Sequence, residues 1–141
     1  DLHTILRLPT GIFYAQGVKA NVIFFDNRAA SPDPQTSQVW YYDYRTNVHK
    51  TLKQNRLAKS DFDEFIKLYS AKRRKATWSE EAGEGRWRSY SYDEVIARDK
   101  TNLDIFWLKD DALEDTENLY KSIATIFMDN EITTTKFTGN N

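Results

Sequence analysis

The chain contains 141 residues, of which 40% are hydrophobic, 14% aromatic and 29% charged, and this length suits a single domain with one sizeable core. The apolar share argues against a disordered chain, and no apolar run approaches the roughly 18 residues of a membrane span. The net charge of −1 hides an asymmetry, because residues 45–75 contain ten bases and three acids, whereas residues 76–141 contain seven bases and fourteen acids.

Two strands are predicted near the start of the chain, separated by a turn. Residues 3–8 alternate apolar and polar side chains, and Pro9 and Gly11 then interrupt the pattern as typical turn residues. Residues 18–25 form the second predicted strand, and their last four side chains are continuously apolar, as expected for a strand covered on both faces. The short distance between the two strands favours an antiparallel pair joined by a loop.

More β-structure is predicted after a polar loop. Residues 26–38 contain two prolines and are expected to form an extended surface loop. The aromatic residues 39–44 predict a third strand. Residues 49–52 predict a short fourth strand, which a turn at residues 46–47 would join to the third as a hairpin.

Helical patterns begin after residue 57. Ser60 and Asp63 have the spacing of a capping box, and apolar residues recur at helical spacing from there to Tyr69. Ser91 and Glu94 repeat the capping pattern and predict a second, short helix. The remaining predictions are a loop at 72–85, a buried strand or extended segment at 103–108, an acidic loop at 109–117, a helix at 119–127 and a disordered tail from 133.

The motifs of a complete enzyme are missing from the sequence. The two histidines, His3 and His49, are too few for a zinc site, so we predict no metal. Gly83 and Gly85 neither follow an apolar strand nor open a helix, which favours a flexible turn over a nucleotide-binding motif. No spacing of carboxylates indicates an acid–base pair. We therefore predict no catalytic residue within this chain.

Cysteine is also absent, which excludes disulfides, thiolate metal sites and cysteine nucleophiles. The lack of cysteine fits a reducing compartment, and we expect a cytoplasmic protein. Because the chain begins with Asp1 and has no charged-then-apolar leader, it is expected to begin inside a longer protein.

Three segments, in the same order, resemble the modification (methyltransferase) subunit of type I restriction–modification systems. They are ILRLPTGIFYAQGVKANVIFFD at residues 5–26, VWYYDYRTN at residues 39–47 and SYDEVIARDKTNLDI at residues 91–105. The resemblance implies an N6-adenine DNA methyltransferase that uses S-adenosylmethionine. It also implies three partners, namely DNA and the specificity and restriction subunits of a type I complex.

The resemblance further implies that the chain is a C-terminal fragment. In that family an F-x-G-x-G-type turn holds the cofactor and an N-P-P-[FY] loop holds the reacting amino group. Neither pattern occurs in this sequence, and both lie upstream in the family's order. We therefore expect the fragment alone to be inactive and to bind the cofactor poorly.

An α/β fold follows from the same resemblance. Residues 1–57 would supply the last strands of a doubly wound methyltransferase sheet, including an antiparallel edge pair, and the division into domains would fall there. Residues 58–141 would form a helix-rich α+β extension. Because a sheet without its first strands exposes apolar edges, we expect the fragment to associate with itself or to be excised from a longer chain.

One substrate-binding feature is implied for the turn at residues 9–17. In adenine methyltransferases this turn carries an aromatic residue that packs against the adenine once the base has left the duplex. The matching residue is Phe13; Pro9 and Gly11 would shape the turn, and Tyr14 would be its neighbour. From the pattern alone, Phe13 would be ordinary core beneath the loop.

Two groups of residues are candidates for contact with the DNA backbone. Gln16 lies in the same turn, and Lys19 follows its end. The basic run that includes Arg73, Arg74 and Lys75 is the second group, since each phosphate contact adds to salt-sensitive affinity. The alternative for the basic run is a solvated loop.

A second hypothesis treats the chain as a non-enzymatic module that docks nucleic acid or protein. The exposure of Phe13 discriminates between the two hypotheses. In the methyltransferase fragment, its ring would face solvent at the rim of a cleft. In the docking module, it would be fully enclosed.

Overall fold

The computed structural model describes residues 1–15, 17–112 and 116–125. The chain divides into two compact units, Asp1–Leu108 and Lys109–Asn141. Among the described residues, no helix is both long enough and apolar enough to span a membrane.

The second unit is helical where the structure describes it. Residues 111–112 and 116–125 are helical, so the acidic loop predicted for residues 109–117 is wrong in part, whereas the predicted last helix is confirmed as far as residue 125. A salt bridge of 2.9 Å between Lys121 and Glu117 joins successive turns. Residues 126–127 and the predicted tail from 133 lie outside the described residues.

A four-stranded sheet forms the centre of the first unit, with strand order β2-β1-β3-β4. β2 runs antiparallel to β1, β3 runs parallel to β1, and β4 runs antiparallel to β3. The strands are β1 at Leu2–Leu8, β2 at Ala20–Phe25, β3 at Gln38–Asp43 and β4 at Trp87–Ser91. The fold is therefore mixed α/β, and the parallel pair lies at its centre.

Two short α-helices accompany the sheet. A 3-10 turn at Lys59–Phe62 leads into α1, which spans Asp63–Tyr69. The second helix, α2, spans Tyr92–Ile96 and is followed by a 3-10 turn at Asp99–Thr101. Both helices occur where helical spacing predicts them.

Each face of the sheet packs against one of these helices, because successive side chains of a strand point to opposite faces. On one face, Phe65 of α1 stacks on Trp87 with ring centroids 5.3 Å apart and also contacts Tyr42. On the other face, Val95 of α2 and Ile105 belong to one buried cluster, which also contains Ile5, Val39 and Tyr41.

The predicted strand at residues 49–52 is wrong. The backbone there turns back on itself, because Thr51 N–H donates to the Asn55 carbonyl and the Asn55 side-chain amide donates to the His49 carbonyl. Its hydrogen bonds are thus satisfied locally and not by a neighbouring strand. The fourth strand is instead β4, in which Trp87 and Ser89 pair with Tyr42 and Trp40.

Of the two predicted capping boxes, one is confirmed. The Ser91 hydroxyl accepts from Glu94 N–H at 3.3 Å, and the Glu94 carboxylate accepts from Ser91 N–H at 2.7 Å. The box predicted at Ser60 is wrong, because the helical turn begins earlier. There the Asp61 carboxylate accepts from Ala58 N–H at 2.7 Å.

The apolar end of β2 is not covered on both faces within the described chain. Val22, Ile23 and Phe25 are 38%, 50% and 66% exposed. β2 lies at the edge of the described sheet and pairs with β1 alone. The sequence pattern of β2 is therefore that of a covered strand, although β2 is exposed in the described chain.

Candidate functional site

Two connecting segments leave the sheet at the same end of its strands. β1 and β3 are parallel, and their registered pairs run from Thr4 and Trp40 to Arg7 and Asp43. The chain that follows each strand therefore starts at the same end. In open α/β sheets, ligands bind outside the carboxyl ends of the strands. Ligand-binding residues are therefore expected in the two segments that follow β1 and β3.

A cleft of about 570 Å³ lies between these segments. One side is the cleft loop, which we define as residues 9–19, described except for Gln16. The other side is the cleft wall, residues 50–54. The described residues that line the cleft are Thr10, Gly11, Phe13, Tyr14, Gly17, Lys50, Thr51, Leu52, Lys53 and Gln54.

Aromatic and apolar side chains are presented at this cleft. Phe13 is 43% exposed and lines the cleft, while Tyr14 is 97% exposed. Leu52 of the cleft wall is 38% exposed. Phe13 is therefore not enclosed in the core. The docking-module hypothesis requires an enclosed ring.

Close backbone packing holds the cleft loop against the cleft wall. Gly11 has a φ of +83°, and a Cβ at this position would lie 2.1 Å from the carbonyl oxygen of Lys50. Only glycine fits this approach without a shift of the backbone. Pro9, at the start of the loop, is fully buried. Both turn residues of the sequence prediction thus pack where the loop leaves the sheet.

An ion pair anchors the cleft wall to the 3-10 turn before α1. Lys50 Nζ lies 2.8 Å from one Asp61 carboxylate oxygen and 2.9 Å from the other. This hydrogen bond, together with the one from the Ala58 backbone amide, lowers the pKa of Asp61 from 3.8 to about 2. The same hydrogen bond raises the pKa of Lys50. The cleft wall is therefore tied to residues outside the cleft.

A buried ion pair lies beneath the edge from which both segments leave. Arg7 Nη1 donates to Asp43 Oδ2 at 2.6 Å, and both side chains are almost completely buried. Asp104, in the segment after α2, lies 3.3 Å from Arg7 Nη2. The exposed ring of Phe106 lies 4.3 Å from the Arg7 guanidinium carbon. These contacts join β1, β3 and residues 104–106 at one end of the sheet.

The structure separates the candidate DNA-backbone residues into two groups. Lys19, at the end of the cleft loop, is exposed and its Nζ lies 5.9 Å from the centroid of the Phe106 ring. Gln16 lies outside the described residues. Arg74 is elsewhere, since it donates to the Tyr69 carbonyl at 2.7 Å, and the Tyr69 ring lies 6.0 Å from that of His3.

His3 is near the start of β1, whereas the cleft loop follows its end. A strand of this length is about 20 Å long. Arg73 and Lys75 flank Arg74 and are exposed, so the basic run lies at the opposite end of β1 from Phe13. It is not part of the cleft.

Metal-binding clusters are not found in the described part of the chain, where no three His, Asp or Glu side chains converge. Among the described residues that line the cleft there is no carboxylate, although two of them are lysines. This lining therefore does not fit S-adenosylmethionine, which carries a net positive charge from its sulfonium, ammonium and carboxylate groups.

Sequence reasoning missed the cleft wall and Arg45. The sequence predicts a strand at residues 49–52, which overlap the cleft wall. This segment instead follows the carboxyl end of β3 in the same way that the cleft loop follows β1. Arg45 comes two residues after β3 and is mostly buried, with a side chain that is 8% exposed. The signal that could have found both is the polar turn directly after an aromatic strand.

Comparisons with known proteins identify related chains. The family model for N-6 DNA methylases matches residues 1–105. The EcoKI methylase subunit, part of a type I restriction enzyme of Escherichia coli K12, is 36% identical over 146 residues, which covers 84% of this chain and 28% of that protein. The StySJI methylase subunit of Salmonella typhimurium has the same identity and coverage.

A solved structure is also similar. The crystal structure of the EcoKI M protein matches with a TM-score of 0.63 and 37% identity, covering 77% of this chain and 28% of that one. The present chain thus spans about 28% of the length of the curated relatives that it matches.

Proposed function

Since this chain belongs to the N-6 DNA methylase family, we propose that it is the target-base part of a type I DNA methyltransferase subunit. The complete subunit would transfer a methyl group from S-adenosylmethionine to N6 of an adenine in DNA. One observation carries the proposal for this chain, namely the half-exposed ring of Phe13 at a cleft on the carboxyl edge of the sheet.

An aromatic ring at this position suits the methylation of adenine in DNA. A base cannot be methylated within the duplex, so it must be extruded, and the enzyme must replace the stacking that is lost. An aromatic face offers roughly 1–3 kcal/mol per stacked base. The cleft, at about 570 Å³, has the volume of an ordinary ligand pocket and joins this ring to the polar groups of the cleft wall.

This chain would hold the base, and other parts of the longer protein would supply the reaction. S-adenosylmethionine provides the methyl group, and the cleft described here does not fit it. The chain's own contribution is to orient the adenine against Phe13 and to exclude water from one side of it. We expect the isolated chain to be inactive for this reason.

The exposed edge of β2 supports a larger, doubly wound sheet in the complete subunit. Ile23 and Phe25 point to the same face of the sheet and are at least half exposed. An apolar edge strand of this kind favours pairing with a further strand. The same edge would cause self-association of the isolated chain.

DNA would be contacted at more than one place. Lys19 lies on the side of the cleft and would contact the backbone near the extruded base. Arg73 and Lys75, at the other end of β1, would reach a separate phosphate or a neighbouring subunit. The relatives are named as subunits of type I restriction enzymes, which supports the specificity and restriction subunits as partners.

The test replaces Phe13 in the complete subunit assembled with its specificity subunit. Phe13→Leu keeps an apolar side chain of similar size but removes the aromatic face, and Phe13→Tyr is the matched control that keeps it. Losing the stacking energy of roughly 1–3 kcal/mol predicts that Phe13→Leu lowers kcat by about 5- to 150-fold. The rate of N6-adenine methylation measures this.

The Phe13→Tyr control and the unfolding temperature separate a loss of stacking from a loss of folded protein. Phe13→Tyr should retain most of the turnover, and both variants should unfold at nearly the same temperature as the wild type. Equal turnover in Phe13→Leu and wild type would contradict the stacking role. A loss of turnover matched by an equal loss of folded protein would also contradict the stacking role, because the ring would then act through folding.

A further inference from the structure

Both ends of the cleft loop converge on the side chain of Arg45. Its Nε donates to the Leu8 carbonyl at 2.9 Å, and its Nη2 donates to the Ala20 carbonyl at 2.6 Å. Nη2 also donates to the Asn21 side-chain oxygen at 2.8 Å. Leu8 ends β1 and Ala20 begins β2, so one guanidinium group bridges the two strands where the loop starts and stops.

Arg45 is itself held in place by the buried ion pair. Its backbone N–H donates to Asp43 Oδ1 at 2.7 Å, while the other oxygen of the same carboxylate accepts from Arg7. Asp104 Oδ1 lies 3.6 Å from Arg45 Nη1 on the remaining side. The guanidinium therefore has partners on β1, β2 and the segment after α2, and little freedom to move.

The chemistry of these contacts calls for arginine. A guanidinium is planar and presents five N–H donors in a rigid fork, so it can reach two carbonyls in one plane. A lysine ammonium is a compact charge on a flexible stem and cannot reproduce this fork. Because the side chain is 8% exposed, water has little access to replace the lost donors.

The β1–β2 ladder already pairs Leu8 with Ala20. We propose that Arg45 is a positioning residue, which fixes this last pair at the base of the cleft loop and thereby sets the place of Phe13 at the cleft. The role of Phe13 rests on the proposed function, whereas the bridge across the loop concerns only this chain. Loosening the bridge would displace the ring without removing any contact to the DNA backbone. We therefore expect a substitution of Arg45 to lower kcat and to leave the affinity for DNA nearly unchanged.

The experiment compares Arg45→Lys and Arg45→Ala with wild type in the complete methylase assembled with its specificity subunit. Arg28→Lys is the matched control, since Arg28 is an exposed arginine that pairs with Asp1 and Asp26 away from the cleft. Three quantities are measured: kcat and KM for DNA, the fluorescence of 2-aminopurine at the target position, and amide hydrogen exchange along the chain.

For Arg45→Lys, a displaced ring predicts a fall in kcat of at least about tenfold, with KM for DNA within about twofold of wild type. The 2-aminopurine fluorescence should rise, because stacking on an aromatic ring quenches it. Exchange should be faster in residues 9–19 and unchanged in β3 and β4. Arg28→Lys should match wild type in all three.

Two results would overturn the proposal. Wild-type kcat and exchange in Arg45→Lys would show that the bridge does not position the loop. Faster exchange throughout the chain, with turnover per folded molecule unchanged, would show a general structural role. If the wild-type complex does not methylate adenine, the proposed function fails, and exchange in residues 9–19 still decides whether Arg45 holds the loop.

Discussion

Gly11 and Gly17 have the same backbone conformation but different surroundings. Both have a φ of +83°, which side chains rarely adopt. A Cβ on Gly11 would meet the Lys50 carbonyl oxygen, whereas a Cβ on Gly17 would have no heavy atom within 4 Å. The two glycines therefore separate the effect of backbone strain from the effect of close packing.

Alanine at each position tests this separation. The left-handed conformation alone costs roughly 1–2 kcal/mol for an alanine, and this is the loss of unfolding free energy expected for Gly17→Ala. Gly11→Ala should lose more, since the cleft loop or the cleft wall must also move. Urea denaturation of both variants measures the difference. Equal losses would contradict the close contact between the cleft loop and Lys50.

At the residue level, the sequence predicts the cleft loop but not the Arg45 side chain that bridges its two ends. The resemblance singles out Phe13, and Pro9 and Gly11 are recognisable as turn residues. The bridge made by Arg45 is not recognisable, because its acceptors are backbone carbonyls that are 37 and 25 positions away in the sequence. Any residue type supplies such a carbonyl, so no side-chain pattern marks it.

The Lys50–Asp61 ion pair links the cleft wall to the 3-10 turn before α1. The folded pKa of Asp61 is about 2, below its ordinary value of 3.8. Its contribution to stability is therefore fully present above about pH 4 and is lost as the pH falls towards 2. Protonation of Asp61 would weaken its ion pair with Lys50.

Asp61→Asn tests this pH dependence. The wild type should lose unfolding free energy more steeply than the variant as the pH falls from about 5 to about 3, so that the two curves converge at acid pH. Urea denaturation across this range measures the difference. Asp63→Asn, an exposed carboxylate in the first turn of α1, is the control and should run parallel to wild type. A constant difference between wild type and Asp61→Asn would refute the ion-pair account.

Elements were predicted well where their periodicity is local. β1, β2 and β3 follow from alternation and aromatic content, and α2 follows from its capping box. β4 was missed, because it contains only five residues and directly adjoins the cap of α2. The segment at 49–52 has the residue types of a strand, but its side chains and backbone form local hydrogen bonds instead.

The arrangement of the whole sheet was beyond sequence reasoning. β1 and β3 are parallel and adjacent, although β2 lies between them in the chain. This order depends on non-local pairing, which short-range patterns do not encode. The buried Arg7–Asp43 pair joins these two strands across 36 positions. Removing one partner of such a buried pair typically costs about 3–5 kcal/mol, because the other charge is left buried without a partner.

The division of the longer protein at residue 57 remains a prediction. In the described chain, β4 joins the same sheet as β1–β3, so residues on both sides of that position share one core. The exposed edge of β2 is the surface on which a larger sheet would continue. The proposed function therefore requires the complete subunit, and the decisive measurement must use it.

A photo-crosslink at the target base tests the central claim most directly. The target adenine is replaced by 5-iodouracil, a mispaired base that leaves the duplex at low cost and reacts with an aromatic ring stacked on it. After irradiation of the complete methylase on this DNA, mass spectrometry locates the crosslink. We predict a crosslink at Phe13 that disappears in Phe13→Leu. A crosslink outside residues 9–19 would contradict the placement of the adenine at this cleft.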